Sequence, residues 1–127
     1  MKAHDKKWLK TKVCEMVDIF YLNGWEVETE CFKEPKSDSP GAAAEMTTVW
    51  KYRQAILKIY PCFWQLEENE RKETLIHEFC HVIVARPFLL IDNTKNGHLI
   101  SDNEIDDIHE HTTSWMAQII SARLKTA

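Results

Sequence analysis

Two histidines four residues apart, in the apolar half of a long helical segment, constrain this chain more than any other feature. Residues 66–86 begin with charged turns and continue into apolar positions, and the apolar part contains His-Glu-Phe-Cys-His from His77 to His81. Residues four apart stack on one face of a helix, so both imidazoles can reach one ion. Burying them with a carboxylate among apolar side chains is costly unless they are paired or bind a metal. The pattern therefore predicts a metal site on this helix.

The H-E-x-x-H spacing also favours zinc as the metal and predicts its role, although a site of two imidazoles and one carboxylate accepts several divalent ions. Neutral imidazole is a good zinc ligand, and zinc lowers the pKa of a bound water toward neutrality. The carboxylate of Glu78 can take a proton from that water and pass it to a leaving amine. We therefore predict that His77 and His81 are ligands of one Zn2+ per chain, and that Glu78 is the catalytic general base.

Three amphipathic helices are predicted from apolar residues at gaps of three and four. The first covers residues 5–22 and ends at an Asn-Gly pair, where glycine can adopt the left-handed cap. The second carries the motif and is expected to end at Pro87, because proline lacks the N–H that a helix interior needs. A loop is expected at 88–100. A Ser-x-x-Glu capping box then predicts a last helix at about 101–124.

Three strands are predicted between the first two helices. Residues 25–31 alternate between apolar and acidic, which is typical of a strand with one face in solvent. Residues 46–50 are rich in β-branched side chains, and residues 54–60 alternate clearly before a proline ends them. The expected architecture is α+β, with a small, mainly antiparallel three-stranded sheet, in a single domain covering residues 1–127.

The composition is that of a folded domain, and it excludes several function classes. Of 127 residues, 44% are apolar and 28% are charged, with only 3 Gly and 4 Pro, which excludes a disordered chain. The net charge is −4 and no basic run could follow a phosphate backbone, so no nucleic-acid partner is expected. No apolar run approaches the roughly 20 residues of a membrane span, and no secretory signal is visible. These features predict a cytoplasmic protein without a membrane partner.

The four cysteines supply no recognisable motif. No pair is spaced Cys-x-x-Cys, which excludes a zinc ribbon and a thioredoxin-type redox site. Because no secretion signal is visible, reduced thiols are expected. Cys80 lies inside the histidine motif, and we expect it to act as a small buried hydrophobe rather than as a ligand or a nucleophile.

The histidine motif, following a strand and a charged helical turn, resembles that of the zincin metallopeptidases. The order of elements over residues 43–124 resembles the minimal bacterial and phage-type zincins, including the ImmA/IrrE-like group. This resemblance implies a zincin-like fold, with an N-terminal helix, a sheet, an active-site helix and a C-terminal helix. It also implies a phage or prophage setting. A protein or peptide substrate would lie extended along the strand from Gln54 to Tyr60, by β-augmentation.

A catalytic zinc site needs a third protein ligand. The metzincin extension H-E-x-x-H-x-x-G-x-x-H is absent, since Val84 and Pro87 stand where glycine and histidine are required. Gluzincins instead take a glutamate from the next helix. The candidates are Glu104, Glu110, His98, His109 and His111. We prefer Glu110, because its distance from the following apolar residues resembles that in thermolysin-like gluzincins; His111 is the runner-up and Glu104 comes next.

Two supporting roles stay open in the sequence. Thermolysin-like enzymes place an aspartate four residues after the ligand glutamate, where this chain has Ser114. Support for the first ligand histidine would then come from Asp106, Asp107 or a backbone carbonyl. A donor must also stabilise the negative oxygen of the tetrahedral state. The candidates for that donor are Tyr52, Tyr60, Arg86, His98 and His111.

Two functions from different classes fit these patterns. The first is a zinc-dependent metallopeptidase, a hydrolase in which zinc-activated water attacks the peptide bond. The alternative is a zincin-fold metal-binding module with a regulatory or interaction role and little or no catalysis. Glu78 favours the enzyme, because a binding module needs no general base. The physiological substrate and the oligomeric state stay open.

Overall fold

The computed structural model describes residues 2–97, 101–103, 112, 116 and 120. Within these residues the secondary structure comprises two long helices, three strands and two short 3-10 segments. The predicted α+β class is therefore confirmed. None of the described helices combines the length and the apolar character that crossing a bilayer requires.

Two compact units make up the chain, Met1–Phe79 and Cys80–Ala127. The first unit holds the N-terminal helix, the whole sheet and the first part of the second long helix. The boundary falls inside that helix, which continues across it. The expectation of a single domain over residues 1–127 stays a prediction.

Helix α1 covers Ala3–Ile19, close to the predicted segment. Its buried face consists of Leu9, Val13 and Met16, which are four and three residues apart and therefore lie on one side. After the helix the chain reverses through Gly24, whose φ of +90° is a conformation that glycine adopts without steric cost. The first strand follows directly.

The sheet contains three strands, β1 (Glu26–Cys31), β2 (Ala44–Val49) and β3 (Gln54–Ile59), in the order β1-β3-β2. Strand β1 pairs with β3 in parallel, and β2 pairs with β3 antiparallel. The predicted strand positions agree with the structure to within about two residues. The prediction of a mainly antiparallel sheet was wrong, because one of the two pairings is parallel. Alternation along a strand indicates which face is buried and says nothing about which neighbour the strand pairs with.

Strand β3 is central, which also corrects the expected substrate strand. Its side chains Ala55, Leu57 and Ile59 are fully buried, and β1 and β2 occupy both of its hydrogen-bonding edges over Gln54–Ile59. An extended peptide cannot pair along this strand without displacing a neighbour. Within the described part of the chain, the sheet edges that carry no partner strand are the outer edges of β1 and β2.

A polar cluster fixes the segment between β1 and β2. The Nζ of Lys36 lies 3.0 Å from Oε2 of Glu45, and the hydroxyl of Tyr60 donates to the same oxygen at 3.2 Å. The ring of Phe32 stacks on that of Tyr60, with 5.2 Å between the ring centroids. The cluster therefore ties the long connection to the ends of β2 and β3.

Helix α2 covers Glu68–Gly97, so the expected end at Pro87 and the loop at 88–100 were wrong for residues up to 97. Pro87 lies inside the helix. A proline in a helix interior removes one backbone hydrogen bond and introduces a clash, so it usually kinks or ends a helix. The apolar residues that follow it continue the helix here.

In the first unit, α2 contributes to the core through Leu75 and Phe79, both fully buried. The ring of Phe79 lies against that of Phe20, with 5.8 Å between centroids. At the start of the helix, Trp8 donates its indole N–H to Glu68 at 3.1 Å. These contacts connect α2 to Trp8 of α1 and to Phe20, the residue that directly follows α1.

The predicted last helix falls almost wholly outside the described residues. Asp102, Asn103, Thr112, Met116 and Ile120 are helical, and the last two are buried. The remaining positions of that segment, including the glutamate of its capping box, are not described. The predicted helix at 101–124 therefore stays a prediction for most of its length.

Candidate metal centre

The motif lies on α2, as the sequence predicts. His77 and His81 are exposed, whereas Glu78 is buried, with 8% of its surface accessible. One potential ligand atom from each of these three side chains lies within 4.8 Å of the other two. The helical spacing of four residues explains why the imidazoles come together, since they stand one turn apart on the same face.

The donor set fits a zinc ion. Ligand atoms around a tetrahedral zinc, each about 2.1 Å from the ion, lie about 3.4 Å from one another. The imidazoles therefore need only modest side-chain adjustment to reach one ion from a spread of 4.8 Å. Their exposure also leaves room for further ligands and for a substrate. His77 and His81 would hold the ion, while Glu78 would lie beside it.

The preferred third ligand, Glu110, lies outside the described residues, as do its alternatives Glu104, His98, His109 and His111. The same holds for Ser114 and for the two aspartates considered as supporting groups, Asp106 and Asp107. The three-ligand site of His77, His81 and Glu110 therefore stays a prediction. The described residues bring together its two histidines and the proposed base.

Among the side chains that the structure describes, Glu78 is the only charged one that is buried. Its Oε1 accepts a hydrogen bond of 3.1 Å from the backbone N–H of Met46 on strand β2. A buried carboxylate without a donor would carry a large desolvation penalty, and a backbone N–H offsets part of it. This contact places the proposed base beside the edge of the sheet.

The direction of the Met46 N–H follows from the register of the strands. Tyr60 donates its N–H to the carbonyl of Ala43, so the pair that those two residues form is hydrogen-bonded. In an antiparallel ladder such pairs alternate with pairs whose N–H groups point outward. Met46, opposite Leu57, belongs to the second kind. Its N–H therefore points away from β3, toward α2.

A surface cavity of about 290 Å³ lies next to the motif on the first half of α2. Its lining residues are Leu66, Glu70, Glu73, Thr74 and His77. Two carboxylates on the wall beside an imidazole make the local potential negative, which favours the approach of a cation. The cavity thus provides a solvent-open and acidic entry beside the first proposed ligand.

Cys80 is half-buried, and burial raises the pKa of its thiol above the ordinary value of 9.0. A protonated thiol is a poor nucleophile and a poor metal ligand. This agrees with the expected role as a small apolar group, although the side chain is less buried than expected.

The candidate oxyanion donors are dispersed or undescribed. The hydroxyl of Tyr60 donates to Glu45, and burial raises its pKa above the ordinary value. Tyr52 is 64% exposed, and Lys51 lies over its ring. His98, His111 and the side chain of Arg86 are not described. The described residues therefore favour none of these candidates as the oxyanion donor.

Sequence reasoning missed the role of Met46. The strand at this position was predicted, but no local pattern signals a contact between residues 32 positions apart. The sequence does indicate that Glu78 needs a hydrogen-bond donor, because a carboxylate predicted to be buried requires one. The donor depends on which strand forms the sheet edge next to the helix.

The chain was compared with protein families, curated proteins and solved structures. No protein-family model matches the chain, and neither a curated protein nor a solved structure does. The resemblance to zincins therefore rests on the histidine motif and on the order of the elements around it.

Proposed function

We propose that this chain is a zinc-dependent metallopeptidase that hydrolyses peptide bonds. The observation that carries the proposal is the group formed by His77, Glu78 and His81, whose potential ligand atoms lie within 4.8 Å of one another. The exposed imidazoles suit metal binding, and the buried, hydrogen-bonded carboxylate suits a fixed general base. Each residue of the motif thus has the environment that its proposed role requires.

The chemistry divides between the ion and the chain. Bound zinc would act as a Lewis acid and make a water molecule acidic enough to lose a proton near neutral pH. His77 and His81 would hold the ion, with Glu110 as the proposed third ligand. Glu78 would accept the proton from the attacking water and return it to the leaving amine.

The substrate in this proposal is a protein or peptide in extended form. Strand β2 is the edge strand that carries the contact to Glu78, so we place the substrate along its outer edge. The register directs the backbone groups of Ala44, Met46 and Thr48 outward. A peptide paired there would bring a scissile bond beside α2 and its motif.

The phage or prophage setting that the resemblance implies and the cytoplasmic location predicted from the sequence belong to the same proposal. So does the absence of a nucleic-acid partner, which the net charge of −4 favours.

Cleavage of unfolded casein by the zinc-loaded protein tests the proposal. Glu78→Gln is the matched variant, because the amide oxygen can still accept from Met46 but cannot take up a proton. We expect wild type to produce fragments and the variant to lose about 100-fold or more in rate. Equal behaviour of both proteins, with zinc bound, would instead favour the metal-binding regulatory module.

A further inference from the structure

We infer that the backbone N–H of Met46 is a positioning group that holds the carboxylate of Glu78 in the orientation required for proton transfer. The inference rests on the proposed peptidase function. Its structural basis is the hydrogen bond of 3.1 Å between this N–H and Oε1 of Glu78. Glu78 is also 92% buried, since 8% of its surface is accessible, so water cannot replace the donor freely.

The donor is one that the sheet itself does not use. Met46 stands opposite Leu57 in a pair whose N–H groups point away from each other. An outward N–H on an edge strand ordinarily bonds to water or to an added strand. Here α2 supplies the acceptor, so the contact links the motif helix to the sheet edge through one specific donor.

Orientation matters because a glutamate side chain has three rotatable bonds. A catalytic group that is displaced by about 1 Å can lose about 100-fold in rate. A backbone donor on a strand paired along its inner edge is a rigid anchor, better suited to this task than a mobile side chain. The bond to Met46 therefore limits where the carboxylate can lie relative to His77, the adjacent residue on α2.

The contact also determines which backbone groups of β2 are available to hydrogen-bond with a substrate strand. Because Glu78 already accepts from the N–H of Met46, the outward N–H groups of β2 that a peptide can use are those of Ala44 and Thr48. Loss of the Met46 N–H should therefore change the chemical step and leave binding intact. This separates kcat from KM and distinguishes positioning from substrate pairing.

The variant Met46→Pro removes this N–H. Proline is tolerated on edge strands where the N–H faces away from the ladder, so the pairing with β3 is kept. Thr29→Pro on β1 is the matched control. Glu26 and Phe32 donate their N–H groups toward β3, so the N–H of Thr29 points outward from the opposite edge.

We expect Met46→Pro to lower kcat on casein by about 10- to 100-fold, with KM within about twofold of wild type. Thr29→Pro should change neither constant by more than about twofold. Unchanged kcat in a folded Met46→Pro protein would overturn the inference. A wild-type protein that cleaves no substrate would overturn the proposed function instead.

Hydrogen exchange of the metal-free protein gives a second readout that needs no activity. The amide of Met46 should exchange slowly in wild type and at least about tenfold faster in Glu78→Ala, because its acceptor is gone. The amide of Thr29 should be unaffected. Equal exchange at Met46 in both proteins would rule out the contact, including when Met46→Pro fails to fold.

Discussion

The backbone N–H of Met46 donates to Oε1 of Glu78 across 32 positions of sequence. This bond joins the edge of the sheet to the motif helix and gives the buried carboxylate a defined partner. The two histidines of the motif remain exposed on the same helix. The proposed base and the proposed ligands therefore occupy different environments, although they are neighbours in the chain.

The outer edge of β2 gives a prediction for substrate binding. Thr48→Pro removes an outward N–H that an extended peptide would use, without touching the donor to Glu78. One lost backbone hydrogen bond is worth about 1 kcal/mol, so we expect KM to rise about fivefold while kcat is retained. Steady-state kinetics on an unstructured peptide measures both constants. If KM stays at the wild-type value, the substrate does not pair with β2 at this position.

The core beneath the motif gives a prediction for stability. Phe79 is fully buried against Phe20, so Phe79→Ala should cost about 3–5 kcal/mol in the free energy of unfolding. Tyr52→Ala is the control, since this side chain is 64% exposed and its loss should cost less than about 0.5 kcal/mol. Urea unfolding of the metal-free proteins measures both. Similar losses in the two variants would contradict the burial of Phe79.

Much of the fold could be predicted from local patterns. The spacing of Leu9, Val13 and Met16 predicts α1, and the alternation around Leu57 predicts β3, because burial imposes these periods directly. The parallel pairing of β1 with β3 could not be predicted, since it depends on which edge each strand meets. The predicted helix end at Pro87 was wrong, because the helix continues through this proline to Gly97.

The polar cluster between β1 and β2 gives a prediction for pH dependence. The hydrogen bond from Lys36 holds the pKa of Glu45 below its ordinary value of 4.5. The unfolded chain then binds the proton more readily, so the cluster stabilises the fold above that value and loses this contribution as pH falls below it. We expect Glu45→Gln to flatten the acid side of the stability profile, as measured by urea unfolding across pH.

The same pair makes a small contribution to the alkaline side of that stability profile. The bond to Glu45 raises the pKa of Lys36 above 10.5. Its contribution is therefore complete below this value and is lost as pH rises through the higher folded value. Both partners are substantially exposed, so the effect is small. A Glu45→Gln protein with the wild-type profile on both sides would show that the pair contributes nothing to stability.

Metal removal gives a prediction for thermal stability. Zinc that binds only the folded chain stabilises it by about 2.7 kcal/mol when the free ion exceeds its Kd by 100-fold. We therefore expect chelation to lower the Tm of wild type, and to leave the Tm of His77→Ala unchanged. Calorimetry with and without a chelator measures both. A wild-type Tm that is the same with and without the chelator would argue against a metal site that stabilises the fold.

The two histidines and the base of the candidate site were predictable, whereas its surroundings were not. The spacing of His77 and His81 fixes their common face, because helix geometry acts over four residues. The donor to Glu78 comes from a different element and could not be found from spacing. The preference for Glu110 derives from a resemblance, and its position lies outside the described residues.

Zinc content per chain, measured by elemental analysis of the purified protein after reconstitution, tests the central claim most directly. We expect one zinc per chain in wild type, and loss or strong weakening of binding in His77→Ala and in Glu110→Ala. His111→Ala, the neighbouring control, should keep its zinc. Absence of zinc from wild type after reconstitution would contradict the metal site and the peptidase function together.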